Sequence, residues 1–250
     1  MITFDERLIV LGTGIRVVGQ LTMESIAYLR RAEQILCVVE DVIALKMFRE
    51  VNSHAAITDL AQLYAEGKDR RETYRQMIEV VLQSMRNNTL TVLAMYGHPG
   101  VMAIPGHEAI RLAKLEGYKA RMLPAISAED CLIADLGIDP LATGYQSFEA
   151  TDFLLNNRII DPTCTLILWQ VGAIGTIAFH AHRYDLSALP MLIEKLLQHY
   201  PPNHPITFYE AAILIGFEAR ITTVPIKDIV ADIVPTRATW VIPPFRGNNQ

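Results

Sequence analysis

Cysteine is scarce in this chain, and long apolar runs are absent. Only three cysteines, Cys37, Cys131 and Cys164, occur in 250 residues. They are odd in number and far apart, and no CxxC pair stands with a histidine cluster. Neither a disulfide framework nor a zinc site is indicated, and no metal is expected. Each cysteine reads as a small buried hydrophobe rather than a nucleophile. The longest apolar stretches are strand-sized, short of the roughly 20 residues that span a membrane. The N-terminus lacks the basic segment and apolar run of a secretory signal, so a cytoplasmic location is the expectation. Basic charge is not in excess either. Lys and Arg number 22 against 27 Asp and Glu, a net charge of −5. That balance disfavours a nucleic-acid binder, which shows a basic patch or stripe. Arg30-Arg31 and Arg70-Arg71 are only pairs, as on any solvated helix face.

What the chain has is apolar material. Hydrophobic residues make up 51%, ample for the cores of one or two domains. Leu8-Ile9-Val10-Leu11 reads as a buried parallel strand running into the turn Gly12-Thr13-Gly14. Residues 21–32 have helical spacing, with Thr22 as the N-cap. A second strand is expected over 34–39, a short helix over 41–49 and a third strand over 90–95. The clearest helix is 70–85. Asp69 and Glu72 stand at capping-box spacing, and Tyr74, Ile78, Val81 and Met85 recur at three- and four-residue intervals. A helix at 107–116 and a strand at 120–123 complete an alternation that means a parallel sheet covered on both faces.

Beyond residue 124 a helix is expected at 127–136, a strand at 166–169, a helix at 189–200 and a strand at 206–209. Late strands at 220–225 and 239–242 suggest a more antiparallel arrangement, followed by a loose tail from Phe245. The reading is α/β with two lobes, 1–124 and 125–250. Small ligands tend to bind in the cleft between such lobes.

Two glycine turns compete as ligand sites. Gly12-Thr13-Gly14 invites a dinucleotide reading, but Val17 stands where the third glycine belongs. Glu40 or Asp41 is the acid to be expected about 20 positions on. A tight strand-to-helix turn is the plainer account. Tyr96-Gly97-His98-Pro99-Gly100 follows a strand directly and so lies at the carboxyl edge of the sheet, where open α/β folds bind ligands. Its glycines allow close backbone approach, and its aromatic ring suits a flat or cationic ligand such as a sulfonium. His98 alone would serve equally as a structural hydrogen bonder.

These residues carry a resemblance. Tyr96-Gly97-His98-Pro99-Gly100-Val101, then Leu123-Pro124-Ala125-Ile126-Ser127-Ala128-Glu129-Asp130-Cys131-Leu132, then Ala134-Asp135-Leu136-Gly137-Ile138-Asp139-Pro140 are similar to the tetrapyrrole methylase superfamily. More closely, they resemble its borosin branch, the peptide backbone α-N-methyltransferases. Gln146-Ser147-Phe148-Glu149-Ala150, Leu168-Trp169-Gln170-Val171-Gly172 and the segment from Asp59-Leu60 through Tyr64, Gly67-Lys68, Arg70 and Thr73-Tyr74-Arg75-Gln76-Met77 extend it. The resemblance covers residues 8–244. The block 123–140 is its most specific part, whereas Gly12-Thr13-Gly14 discriminates little.

The resemblance implies a two-lobed, class III methyltransferase fold. S-adenosylmethionine would be bound in the cleft between lobes and S-adenosylhomocysteine released. It implies donor contacts at Tyr96, His98, Val101, Ser127, Ala128, Gln170, Ala211, Ala238 and Thr239. It implies a homodimer, or a heterotetramer with two peptides. Its fused members methylate their own C-terminal tail. This chain ends at Gln250, just after the last strand, so a separate precursor peptide is the expected substrate, as in the split, standalone type.

The chemistry fits the residues. A backbone amide nitrogen is a poor nucleophile because its lone pair is delocalised into the carbonyl. Its methylation needs a base for the N–H and a cation for the carbonyl oxygen. An arginine beside a tyrosine favours the phenolate form and also stabilises an oxyanion. Arg70 and Tyr74 are four apart on one helix and share a face. The family's catalytic arginine and tyrosines map onto Arg70, Tyr74 and Tyr96, with Tyr64 assisting. Arg71 is a rival for Arg70 but is expected on a different part of the helix from Tyr74. Without the resemblance, Arg70 is a helix-face charge and Tyr74 a half-buried helix tyrosine. Ser127 and Glu129 suggest a nucleophile and an acid, but a helix N-cap with an early acid explains them more simply. Ala61 stands where some fused members have a further tyrosine, and Ala125 where the family commonly has glycine. Two other functions stay open: methylation of a tetrapyrrole or other small molecule on the same fold, and non-catalytic binding of the donor or a peptide.

Overall fold

The computed structural model describes residues 5–16, 18–39 and 42–247. Val17, Glu40 and Asp41 lie outside the described residues, and with them the acid of the dinucleotide reading. The chain forms two compact units, one within Met1–Cys131 and Ala212–Phe217, the other within Leu132–Ala211 and Glu218–Gln250.

The first unit is built on strands β1 (Leu8–Gly12), β2 (Gln34–Val38), β3 (Ala56–Asp59), β4 (Thr91–Met95) and β5 (Ala120–Met122), with helices α1 (Met23–Leu29), α2 (Val42–Val51), α3 (Arg70–Asn87) and α4 (Ile104–Leu115) between them. All strand pairings are parallel, in the order β3-β2-β4-β1-β5. Every residue of β1 and β4 is buried, as continuous apolar runs require when helices cover both faces. Successive side chains of β1 point to opposite faces. Ile9 and Leu11 join Tyr28, Leu29, Ala44 and Phe48 of α1 and α2. Leu8 and Val10 join Met77, Val81, Met85, Ala109 and Ala113 of α3 and α4. Each fully buried Leu, Ile, Val or Met among them contributes about 1.5–3 kcal/mol.

Capping follows the sequence with one change. Thr22 Oγ1 accepts from Ser25 N at 3.1 Å and starts α1. Asp69 caps α3 by accepting from Arg71 N at 2.8 Å. Glu72 does not close the expected capping box. Its carboxylate instead accepts from Arg75 at 2.7 Å and from Gln76 Nε2 at 2.9 Å.

The break between units comes after Cys131 rather than at residue 124. Helix α5 (Ala128–Leu136) starts in the first unit. Gln20 Nε2 lies 3.5 Å from Cys131 Sγ and ties that first turn down. Residues 212–217 belong to the first unit because Ile215 packs over Gly19, where an added Cβ would meet its Cδ1 at 3.0 Å.

The second unit holds helix α6 (Pro140–Thr143), strand β6 (Tyr145–Glu149), helix α7 (Ala150–Leu155), strand β7 (Thr165–Trp169), helix α8 (Leu189–Leu197), and strands β8 (Pro205–Glu210), β9 (Arg220–Pro225) and β10 (Thr239–Ile242). The order is β6-β7-β10-β8-β9, with β6 parallel to β7 and every other pair antiparallel. Trp240 stands opposite both Leu168 and Phe208, and its ring stacks on Phe208 at 5.2 Å. These residues share one core with Phe153 of α7 and Leu189, Leu192 and Leu196 of α8. The tail is not loose at its start. Phe245 N donates to Pro162 O at 2.7 Å, and the Phe245 ring meets His204 edge-on. Residues 248–250 of that expected loose tail lie outside the described residues.

Candidate functional site

Strands β1 and β4 run side by side, and the two glycine turns that leave them are joined. Thr13 N donates to Met95 O at 2.8 Å, and Gly14 and Gly97 form a bridge. A Cβ at Gly12 would overlap the carbonyl of Gly97 and stand 2.6 Å from Ala125 Cβ and 2.8 Å from Pro99 Cδ. Gly14 and Gly97 both have positive φ, at 74° and 70°, which favours glycine. The turn after Gly14 is not a phosphate cradle. Gln20 Oε1 accepts from Ile15 N at 2.7 Å and from Arg16 N at 2.9 Å. Two amides of the turn are thereby withheld from an anion.

The loop 96–101 is left as the exposed side of this junction. Tyr96 N donates to Val38 O at 3.2 Å, while the Tyr96 residue is 47% exposed. Val101 is 42% exposed, and Met102 beside it has φ 49° and is 48% exposed. Pro99 is buried and His98 half-buried. The turn closes on itself, with Val101 N donating to His98 O at 3.1 Å. Several apolar side chains thus face solvent at the carboxyl edge of a parallel sheet, where ligands bind in such folds.

The start of α5 lies against the same junction, because Ala125 packs on Gly12. Ser127 is buried, and Ser127 and Asp130 cap the helix reciprocally. Ser127 N donates to Asp130 Oδ2 at 2.7 Å, and Asp130 N donates to Ser127 Oγ at 3.1 Å. The Ser127 hydroxyl also donates to Asp130 Oδ2 at 2.6 Å, so it serves the cap and not a nucleophile's role. The early acid that matters is Asp130 rather than Glu129. Among the described residues Glu129 Oε1 is buried without a hydrogen-bond partner. An acceptor in that state costs free energy until a donor reaches it.

Arg70 and Tyr74 lie in the first two turns of α3. Since β3 is parallel to its neighbours and precedes α3, this end of the helix also sits at the carboxyl edge. Both residues are half-buried. Tyr74 and Tyr64 pack against the apolar cluster beneath α3 and α4. Arg71 is not on a separate part of the helix from Tyr74, for the two line one surface groove between α3 and α4. Arg71 is held by an acidic neighbour in sequence. Its guanidinium donates to both oxygens of Asp69, at 3.1 Å and 2.7 Å to Oδ2 and 3.2 Å to Oδ1. That pair holds the Asp69 carboxyl below its ordinary range, chiefly through the hydrogen bond from Arg71.

In the second unit, Gln170, Ala211, Ala238 and Thr239 gather at one sheet edge. Gln170 follows β7, Ala211 follows β8, and Ala238 and Thr239 stand at the start of antiparallel β10. Gln170 is exposed and left-handed at φ 57°, an unusual state for a non-glycine residue. Gly172 lets this turn close, since a Cβ there would overlap the Thr236 carbonyl. The structure therefore brings Tyr96, His98, Val101, Ser127, Ala128, Arg70, Tyr74 and Tyr64 into one unit and the remaining four residues into the other. Among the described residues no cluster of His, Cys, Asp and Glu is arranged to hold a metal ion. Burial, with Asp59 adding to it, pushes the Cys37 thiol up to about 12, so it is no nucleophile. Among the described residues no helix is long and apolar enough to cross a membrane.

The family described as Tetrapyrrole (Corrin/Porphyrin) Methylases matches residues 7–229. The chain belongs to the tetrapyrrole methylase family. One similar protein is a methyltransferase/ribosomally synthesized type III borosin cyclic peptide precursor of Anomoporia bombycina. It is 38% identical over 242 residues, covering 95% of this chain and 28% of the relative. Another is the methyltransferase/ribosomally synthesized cyclic peptide dendrothelin A precursor of Dendrothele bispora. It is 42% identical over 207 residues, 83% of this chain and 49% of that one. The chain thus spans half or less of the length of these two relatives. Among solved structures, the uroporphyrin-III C-methyltransferase of Thermus thermophilus complexed with S-adenosylhomocysteine superposes with a TM-score of 0.61. Its identity is 18%, covering 95% of this chain and 97% of that one. That likeness is one of fold. The tetrapyrrole methylase fold accounts for the two unlike sheets, one parallel and one mixed.

Sequence reasoning missed Gln20, Glu129 as an orphaned acceptor, and the Arg71–Asp69 pair. Only Asp69, as an N-cap, had a local signal.

Proposed function

We propose that this chain transfers the methyl group of S-adenosylmethionine to backbone amide nitrogens of a ribosomally made peptide, releasing S-adenosylhomocysteine. The observation that carries this reading is the identity of 38% over 95% of the chain to a relative named as both methyltransferase and borosin cyclic peptide precursor. The donor fits the residues present. Loop 96–101 offers an exposed tyrosine ring, suited to a sulfonium. Glu129 offers a buried acceptor that has no donor among the described residues.

When bound, the donor supplies an electrophilic methyl group on a positively charged sulfur. Tyr74 is the base that takes the amide proton as the nitrogen–carbon bond forms and the sulfur–methyl bond breaks. Arg70 stabilises the negative charge on the amide oxygen, which otherwise withholds the nitrogen lone pair. Tyr96 orients the amide, and Tyr64 assists from the loop before α3. Holding the amide in place contributes on the order of 7–11 kcal/mol in well-oriented systems. Tyr96, His98, Val101, Ser127 and Ala128, with Gln170, Ala211, Ala238 and Thr239, hold the donor. A homodimer acting on a separate precursor, in the cytoplasm, belongs to the same proposal, and light scattering tests the dimer.

The test is co-expression with a separate peptide carrying an apolar core region, followed by tandem mass spectrometry. Successive single-methyl increments on backbone nitrogens support the reading. An unmodified peptide, from a protein that binds S-adenosylhomocysteine, overturns the peptide acceptor. Methylation of a tetrapyrrole instead would assign the chain to the small-molecule branch.

A further inference from the structure

Gly100 is held from both sides by histidines. Its amide donates to His98 Nδ1 at 3.0 Å, and its carbonyl lies 2.9 Å from His107 Nε2. A backbone N–H only donates, so His98 Nδ1 bears a lone pair and the neutral ring carries its proton on Nε2. A carbonyl only accepts, so His107 Nε2 carries a proton. The residue between them is tightly seated. A Cβ at Gly100 would stand 2.9 Å from Met122 Sδ and 3.2 Å from the His98 ring.

His107 has a rigid mount. It lies in the first turns of α4, after Pro105. Neighbouring Gly106 is buried against the loop, where an added Cβ would meet Val10 Cγ1 at 3.0 Å and Pro99 O at 3.1 Å. The distance from α4 to residue 100 is thereby set by core packing.

We propose that His107 is a positioning residue for the donor loop. By anchoring the Gly100 carbonyl it aims the Gly100 amide at His98 and holds that ring in its Nε2–H tautomer. His98 then offers a hydrogen-bond donor to an acceptor atom of the ligand, such as a carboxylate oxygen or a ring nitrogen. The other tautomer would turn a lone pair toward that acceptor and repel it. The inference rests on the reading that loop 96–101 holds S-adenosylmethionine.

The experiment compares His107→Ala with His107→Gln, whose amide N–H can still donate to the carbonyl. Nitrogen-15 NMR of labelled histidine reads the His98 tautomer without ligand, and calorimetry reads the affinity for S-adenosylhomocysteine. His107→Ala should mix the His98 tautomers and weaken affinity about threefold to tenfold, the worth of one hydrogen bond. His107→Gln should restore both. An unaltered tautomer in His107→Ala overturns the inference, and so does an altered tautomer with unaltered affinity. Failure of the unmodified protein to bind S-adenosylhomocysteine overturns the donor reading, and this inference with it.

Discussion

Gly14 and Gly97 exchange backbone hydrogen bonds, Gly97 N to Gly14 O at 3.0 Å and Gly14 N to Gly97 O at 3.4 Å. They lie 83 residues apart in the chain numbering, yet the pair welds the turns after β1 and β4 into one platform. The exposed loop 96–101 owes its shape to this junction. The first turn, read from the sequence as a tight strand-to-helix turn rather than a phosphate site, is its scaffold.

The junction leaves no room at Gly12. In Gly12→Ala the new methyl would overlap the Gly97 carbonyl, which is backbone and yields little. Overpacking of this kind costs about 1–3 kcal/mol, and sometimes more. Urea denaturation should show a loss in that range, with weaker S-adenosylhomocysteine binding in calorimetry.

Gln20 is the second support. Gln20→Ala frees the amides of Ile15 and Arg16, both now bonded to its side-chain oxygen. An unsatisfied, partly buried donor costs roughly 1–3 kcal/mol. Hydrogen exchange at residues 15 and 16 should accelerate, ahead of exchange in β1. Unchanged protection would refute this role.

Neighbouring arginines on α3 should behave differently. Arg70→Ala and Tyr74→Phe should each lower methyl transfer by about 100-fold or more, as loss of proton handling does. Binding of S-adenosylhomocysteine should persist in both. Arg71 is tied up by Asp69 in an exposed pair, which contributes little. Arg71→Ala should keep transfer within about twofold of the parent, a margin worth under 1 kcal/mol. Loss of activity in Arg71→Ala alone would reverse the assignment.

Tyr200 gives a pH signature. Burial, with Asp161 and Cys164 adding to it, raises its phenol from 10.0 to about 12. Below 10.0 both folded and unfolded chains keep the proton, so Tyr200 adds no pH dependence there. Between 10.0 and about 12 the unfolded chain releases it and the folded chain does not, so stability falls as pH rises. Tyr200→Phe should remove that part of the alkaline loss. The Tyr200 hydroxyl is buried without a hydrogen-bond partner among the described residues, so the variant should be at least as stable at neutral pH. Thermal melts of the two proteins across pH 7–11 check both points.

The central strands were legible because they are buried on both sides. Thr91–Met95 and Thr165–Trp169 are wholly buried, and a period-free apolar run of that length signals such a strand. The edge strands at Ala120–Met122 and Arg220–Pro225 were also read, but the other two edges were not. Ala56–Asp59 and Tyr145–Glu149 alternate between exposed and half-buried, and their short polar sequences resemble loops. The loop 96–101 was legible as a turn at a sheet edge, and its family motif named its neighbours. Its partners were hidden. Nothing local ties Gln20 to residues 15 and 16, or His107 to Gly100.

The sequence by itself determined the alternation of strands and helices, the family and the candidate residues, because apolar periodicity and contiguous motifs are written along the chain. Only the tertiary structure decided that Gly12-Thr13-Gly14 is a scaffold joined to the turn after β4, and that Glu129 Oε1 has no hydrogen-bond partner among the described residues. Those outcomes depend on which donors and acceptors meet across space. Hydrogen bonds are short-ranged and directional, so their pairing appears only once packing has brought the groups together.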